Sequence, residues 1–449
     1  MFYFIILLFV VGYCFIALEH PLKINKAATA LILGILIWMF YILSGEGIYD
    51  IPNFGAGLAD YKLAHPESTT PFIDYIAQSQ LIEHLGSIAE ILFFLLGAMT
   101  IVELIDSYQG FNIITDRIKT KNNIALLWLI SFITFFLSAI LDNMTTAIVM
   151  VALLRKLISD KKERWFYAGM VIIASNAGGA FSPIGDVTTI MLWIANKISA
   201  SQIILQTFVA SIVSMVVPLI AVSFFMKNKA HDAEAAVKRE VSPIPQWQRT
   251  LILVLGVGIL LFVPIFKTLT HLKPYMGILL GLAVLWIVTD IMKRKSKDKS
   301  AYSSILETFP RIDLSSILFF LGILLAVAGL ESIGHLSMLA TGLDGVFDGN
   351  YYLINIFIGI CSSIVDNVPL VAACMGMYDF PMNDMFWMFL AYCAGTGGSL
   401  LIIGSAAGVA VMGMEKIDFI WYLKKITPYA ILGYLAGAGI FILMDVLLF

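Results

Sequence analysis

The chain has 449 residues, of which 60% are apolar and 13% charged, and its formal net charge is −3. A soluble domain is about 25% charged, so this composition excludes a soluble globular fold and specifies an all-α polytopic membrane protein embedded in a lipid bilayer. No basic tract is interleaved with aromatics, so nucleic acid is not expected as a partner.

Each crossing needs about 20 apolar residues. Such runs lie near 2–19, 25–44, 83–106, 165–195, 203–226, 250–266, 275–292, 314–333, 385–414 and 427–447. The first, Phe2 to Leu18, lacks a basic leader and a small-residue cleavage site, and is expected to be a retained span. Two further apolar stretches, 122–154 and 349–378, are too short for two full crossings. Each holds one charge: Asp142 in ILDNMTTA and Asp366 in IVDNVPLVAA. Arg117, Lys119 and Lys121 precede the first stretch, and Arg155, Lys156, Lys161, Lys162 and Arg164 follow it. Lys and Arg favour the cytoplasmic side, so both ends lie there and the stretch is expected to be a re-entrant hairpin. The second stretch is flanked by Asp344, Asp348, Asp379 and Asp384 and reads as an external hairpin. In this topology all of the 28 basic residues except Lys62, Lys197, Lys267 and Lys273 are cytoplasmic. The expectation is a multi-pass protein of the cell (inner) membrane with both termini outside.

The two halves resemble each other in order. GILIW (34–38) answers GLAVLW (281–286), ILFFL occurs at 91–95 and 317–321, LDNMTTA answers VDNVPLV, and SNAGGAFSPIGD (175–186) answers AGTGGSLLIIGS (394–405). Each half then has five crossings and one hairpin. Five is odd, so the halves have opposite orientation, a plan common among secondary transporters. The expected boundaries are 1–226 for the first repeat (hairpin 122–154, broken helix 165–195), 227–249 for a charged cytoplasmic linker, and 250–449 for the second (hairpin 349–378, broken helix 385–414).

Intramembrane acids are functional by default, which singles out Asp142, Asp186 and Asp366 as proton or cation carriers. Oxygen ligands are offered by Asn143, Thr145, Thr146, Ser175, Asn176, Ser182, Thr188 and Thr189, and in the second half by Ser362, Asn367, Thr396, Ser399 and Ser405. Gly178-Gly179, Pro183 and Gly185, with Gly395, Gly397, Gly398 and Gly404, mark where the two long helices break. A set rich in oxygen and without intramembrane Lys or Arg suits a hard cation. A carboxyl in low dielectric can hold either a proton or a metal cation, and competition for one group couples their movements. The reading is cation/proton exchange by alternating access, at a cation site formed by Asp142, Asn143, Asn176, Asp186 and Asn367, with no cofactor and no enzymatic activity. The Asp-Asn pairs could instead simply cap helix ends. His20, His84 and His335 are pH-sensing candidates, while Glu103, Asp106 and Glu331 read as interfacial.

LEHPLKINKAATALILGILIW (18–38), LDNMTTAIVM (141–150), SNAGGAFSPIGDVTTIMLW (175–193), SSIVDNVPLVAA (362–373) and GTGGSLLIIGSAAGVAVMG (395–413) together resemble the NhaD-type Na⁺/H⁺ antiporters of the ion transporter superfamily. The resemblance runs through nearly the whole chain. It implies Na⁺, and Li⁺ as well, exchanged for H⁺ in a homodimer with an elevator-type motion. The family's motif positions fall on Asp142, Asn143, Asn176, Asp186, Thr188, Thr189, Ser362, Asp366 and Asn367. Leu141 departs from the pattern, which has a second acid before the first Asp-Asn pair. The alternative within the superfamily is a dicarboxylate or oxyanion carrier.

Overall fold

The structure is a computed structural model that describes residues 2–17, 19–44, 54–115, 120, 122–226, 244–296 and 302–448. Arg117, Lys119, Lys121, residues 227–243 of the expected linker and the side chain of His20 lie outside the described residues.

Among the described residues the chain is helical, without β-strand. α1 (Phe2–Ala17), α2 (Glu19–Leu22) and α3 (Lys26–Leu43) are followed by α4 (Phe54–Ala64) and α5 (Pro71–Asp74). α5 runs on through a π-helical stretch, Tyr75–Gln80, into α6 (Leu81–Ser107), with α7 (Asn112–Thr115) after it. α8 (Asn123–Leu141) and α9 (Asn143–Leu157) occupy the first expected hairpin. α10 (Lys161–Ala180) and α11 (Val187–Ile194) occupy the first expected broken helix, and α12 (Ala200–Phe225) follows. The second half comprises α13 (Gln246–Thr270), α14 (Pro274–Lys295), α15 (Ile305–Thr308), α16 (Leu314–Ser332), α17 (His335–Phe347), α18 (Tyr351–Cys361) and α19 (Asn367–Met377). It ends with α20 (Met385–Gly397), α21 (Ala406–Glu415), α22 (Phe419–Lys425) and α23 (Thr427–Leu448).

Among the described residues, eight helical runs are long and apolar enough to cross a membrane: α3, Pro71–Ser107, α8, α12, α13, α14, α16 and α23. α8, expected as one arm of a hairpin, has 19 residues and is itself long enough to cross. α4 and α17 were not expected; both fall in segments read as connections.

The helix starts follow local chemistry. An exposed first turn has amide donors with no partner inside the helix, and short polar side chains supply one. Asn25 accepts from Ala27 N at 2.8 Å, Asn122 from Ala125 N at 3.1 Å, and Asp160 from Glu163 N at 2.7 Å. Asp313 and Asp384 do the same for α16 and α20.

The chain forms two compact units, each drawing on both halves of the sequence. The first comprises Met1–Phe93, Asp313–Asn350 and Val368–Asp379. Here α16 packs along α3, and Trp38 Nε1 donates to the Leu325 carbonyl at 2.9 Å. His84 Nε2 lies 3.0 Å from Ser332 Oγ, and buried His335 stacks on Phe2 at 4.0 Å with its Nε2 3.1 Å from the Phe2 carbonyl. The second unit comprises Phe94–Ile312, Tyr351–Asn367 and Phe380–Phe449. Its centre is α10 from Tyr167 onward and α20 from Phe386 onward, both buried on every face. α8 and α9 pack on α10, α18 packs on α20, and α12 packs on α23.

Candidate functional site

The site is built from four helix breaks, at 142, 181–186, 362–366 and 398–405, whose residues all belong to the second unit. α8 ends at Leu141 and α9 begins at Asn143, so the first break is the single residue Asp142. Its backbone, at φ 117° and ψ 159°, lies in a region that residues with a side chain rarely occupy. Its own carboxylate compensates: Oδ1 accepts from Thr145 N at 2.8 Å and Oδ2 from Thr145 Oγ1 at 2.7 Å. Asp142 is thus the cap of α9. The next residue, Asn143, donates from Nδ2 to Asp186 Oδ2 at 2.5 Å and to Asn176 Oδ1 at 3.2 Å.

Asp186 caps α11. Its Oδ1 accepts from Thr188 N at 2.9 Å and Thr188 Oγ1 at 2.8 Å, while Thr189 Oγ1 donates to its carbonyl at 2.9 Å. Asn367, the first residue of α19, donates from Nδ2 to both carboxylate oxygens at 3.3 and 3.4 Å. Asp186 is 1% exposed. The network continues through Asn176, whose Nδ2 donates to Ser405 Oγ at 3.0 Å, and Ser405 caps α21 by accepting from Gly408 N at 3.1 Å. Asn143, Asn176, Asp186, Thr188, Asn367 and Ser405 therefore form one bonded cluster.

A buried carboxylate is costly unless its charge is compensated. Here the compensation comes from amides, a hydroxyl and dipoles. α9, α11, α19 and α21 all begin at this cluster, and a helix N-terminus carries partial positive charge. Among the described residues, no Lys or Arg is a hydrogen-bond partner of Asp186.

The other candidates divide. Thr145 serves the Asp142 cap. Ser175, Ser182, Ser362, Thr396 and Ser399 each donate to a backbone carbonyl: Ile172 at 3.1 Å, Ala139 at 2.5 Å, Ala394 at 2.8 Å, Tyr392 at 2.6 Å and Thr396 at 2.6 Å. Their oxygens keep lone pairs for a ligand; Ser182 and Ser362 tie a break to the neighbouring helix, whereas Ser175, Thr396 and Ser399 back-bond three or four residues upstream. Thr146 Oγ1 is buried and has no hydrogen-bond partner among the described residues, one turn from Asn143 on the same helix face. Asp366 is half-buried at the end of the second break, residues 362–366. Neither His84 nor His335 belongs to this unit.

Equivalent contacts recur in the two halves. Ser138 Oγ donates to the Ser175 carbonyl at 2.6 Å, and Ser362 Oγ to the Ala394 carbonyl at 2.8 Å. A side chain at Gly178 would collide with the Phe135 carbonyl, and one at Gly397 with the Gly359 carbonyl. Asp186 and Ser405 have nearly the same backbone, φ −144° and ψ 148° against φ −143° and ψ 154°. Sequence reasoning missed Ser138. Its signal was available: it precedes Asp142 by four residues, as Ser362 precedes Asp366.

Comparison with known proteins adds the following. The citrate transporter family, CitMHS, matches residues 13–384. "Sodium/proton antiporter 1" of Arabidopsis thaliana is 44% identical over 97% of this chain and 71% of its own length. "Sodium/proton antiporter 2" of the same plant is 43% identical over 96% of this chain and 97% of its own length. "Na(+)/H(+) antiporter NhaD" of Vibrio cholerae is 28% identical over 98% of this chain and 91% of its own length.

Proposed function

We propose that this chain, which belongs to the NhaD-type Na⁺/H⁺ antiporter family of the ion transporter superfamily, exchanges Na⁺, and also Li⁺, for H⁺ by alternating access. The observation that carries the proposal is the Asp186 carboxylate, buried and surrounded by Asn143, Asn367 and Thr188. A buried carboxylate is most stable when something neutralises it. A proton does so by a covalent bond, and a sodium ion by coordination to the same oxygens. The two cannot occupy those oxygens together, so each displaces the other.

The neighbouring amides suit both conditions. Asn143, Asn176 and Asn367 each carry an NH₂ and a carbonyl oxygen, so a turn of the side-chain amide converts a donor to the carboxylate into a ligand for a cation. Thr146 Oγ1 and Ser405 Oγ are further oxygens at the same helix starts. Asp142 acts beside Asp186 as a second carboxylate, and Asp366, immediately before Asn367, as a third.

The repeat-related contacts at Ser138 and Ser362, and at Gly178 and Gly397, support an inverted repeat divided at 1–226 and 250–449, with 122–154 and 349–378 as opposed hairpins. The bonded cluster lies within one compact unit, which supports an elevator-type motion carrying the site whole. A homodimer in the cell's inner membrane, with both termini outside, completes the proposal. The second reading is a dicarboxylate or oxyanion carrier of the same superfamily, an organic-anion role of the kind that the citrate transporter family's name describes. Helix N-termini would suit an anion, but that of α11 already binds the Asp186 carboxylate, and a dicarboxylate would meet like charge.

The test is fluorescence of a pH-sensitive dye in everted vesicles. Dissipation of the pH gradient on adding Na⁺ or Li⁺ alone is expected. Dissipation only when a dicarboxylate is present would favour the second reading.

A further inference from the structure

α9 and α21 begin together in the site, at Asn143 and beside Ser405, and they also end together. Glu415, the last residue of α21, is 4% exposed and accepts from Arg155 Nε on α9 at 2.5 Å and from Arg164 Nε on α10 at 2.7 Å. Arg155 Nη2 also donates to the Met414 carbonyl. Arg164 Nη1 donates to the Ile158 carbonyl at 2.9 Å, and Trp165 Nε1 to the Glu415 carbonyl at 3.0 Å. As orientation signals alone, these arginines would only need water. Instead their guanidinium groups are committed to one buried carboxylate.

That carboxylate is placed against its own interest. It is buried, and it sits at a helix C-terminus, where the dipole disfavours negative charge. Ion pairs of this kind add little stability compared with apolar packing; what they add is register. Each Glu415 oxygen takes a different arginine, so the far ends of α9, α10 and α21 can meet in one arrangement only. At about 1.5 Å per residue, the clasp lies roughly 14–18 Å along α9 and α21 from their first residues. A helix held at that distance cannot tilt without displacing Asn143 or Ser405, and both bond Asn176.

We infer that Glu415, clasped by Arg155 and Arg164, is a positioning residue for the cation site: it fixes α9 against α21 so that Asn143 and Ser405 stay in register around Asn176 and Asp186. The inference rests on the exchange reading above. It predicts a loss of cation affinity at a distance, without loss of turnover.

The test measures Na⁺ KM and maximal rate in everted vesicles for wild type, Glu415→Gln, Arg155→Gln and the double variant, with Tm of the purified proteins alongside. Both single variants are expected to raise Na⁺ KM about fivefold or more at a nearly unchanged maximal rate, and the double variant to do no worse than the worse single one. Arg155 is half-exposed, so Arg155→Gln keeps the test alive if Glu415→Gln does not fold. Wild-type exchange with Na⁺ KM unchanged in Arg155→Gln, or maximal rates that fall in step with Tm, would overturn the inference alone. No exchange in wild type would remove the functional reading and the inference together.

Discussion

The helix breaks of the two halves share a frame and differ in chemistry. In the first half, one residue, Asp142, separates α8 from α9, in strained backbone held by a carboxylate cap. In the second half, five residues, 362–366, separate α18 from α19. The capping residue of α11 is Asp186; that of α21, with nearly the same backbone, is Ser405. Either residue caps a helix well. Only the aspartate adds a charge that a proton or cation can neutralise. On the proposed duplication the frame is common to both halves, and the difference at 186 and 405 leaves the buried carboxylate in the first half alone.

Substitutions can break or sharpen this comparison. The largest effect is expected from Asp186→Asn, which keeps the cap and removes the charge: exchange should fall to background while Tm stays near wild type, as dye fluorescence and thermal unfolding would report. Next come Gly178→Ala and Gly397→Ala. Both put a methyl group against a carbonyl of the neighbouring helix, and overpacking of this kind costs about 1–3 kcal/mol. If the frame is duplicated, the two should lower Tm by similar amounts; a large drop in one only would break the equivalence. Asp142→Asn preserves the cap, so stability should hold and exchange should slow by less than for Asp186→Asn. The smallest effect belongs to Ser405→Ala, which loses the α21 cap at about 1 kcal/mol and should weaken Na⁺ affinity only a few-fold.

Much of the frame was legible in the sequence because its causes are local. Apolar runs of spanning length, Gly and Pro at the breaks and the Asp-Asn pairs before α9 and α19 each act through neighbouring residues. α9 begins at Asn143 because Asp142 caps it, and that pair can be read directly. α4 was missed because FGAGLADYKLA shows little apolar periodicity, and α17 because Asp344 and Gly345 resemble a turn. The wiring was not legible at all. Asn176 and Ser405 are 229 residues apart, as are parts of a contact that only the packing of α10 beside α20 and α21 creates. The same holds for the hydroxyls. Sequence can list Ser182 and Ser399 as oxygen ligands, but it cannot say that their hydrogens go to the carbonyls of Ala139 and Thr396. Glu415 escaped for a related reason: an acid at a helix end reads as solvated until two arginines from other helices are seen to cover it.

The central claim is that one proton and one sodium ion compete for the Asp186 carboxylate. The direct measurement is Na⁺ affinity of the purified protein as a function of pH, for wild type and Asp186→Asn. Competition by one proton predicts that, toward acid pH, the apparent Kd of wild type rises about tenfold per pH unit, and that Asp186→Asn does not bind Na⁺ measurably. Affinity that is independent of pH in wild type, or Na⁺ binding of undiminished strength in Asp186→Asn, would contradict the account.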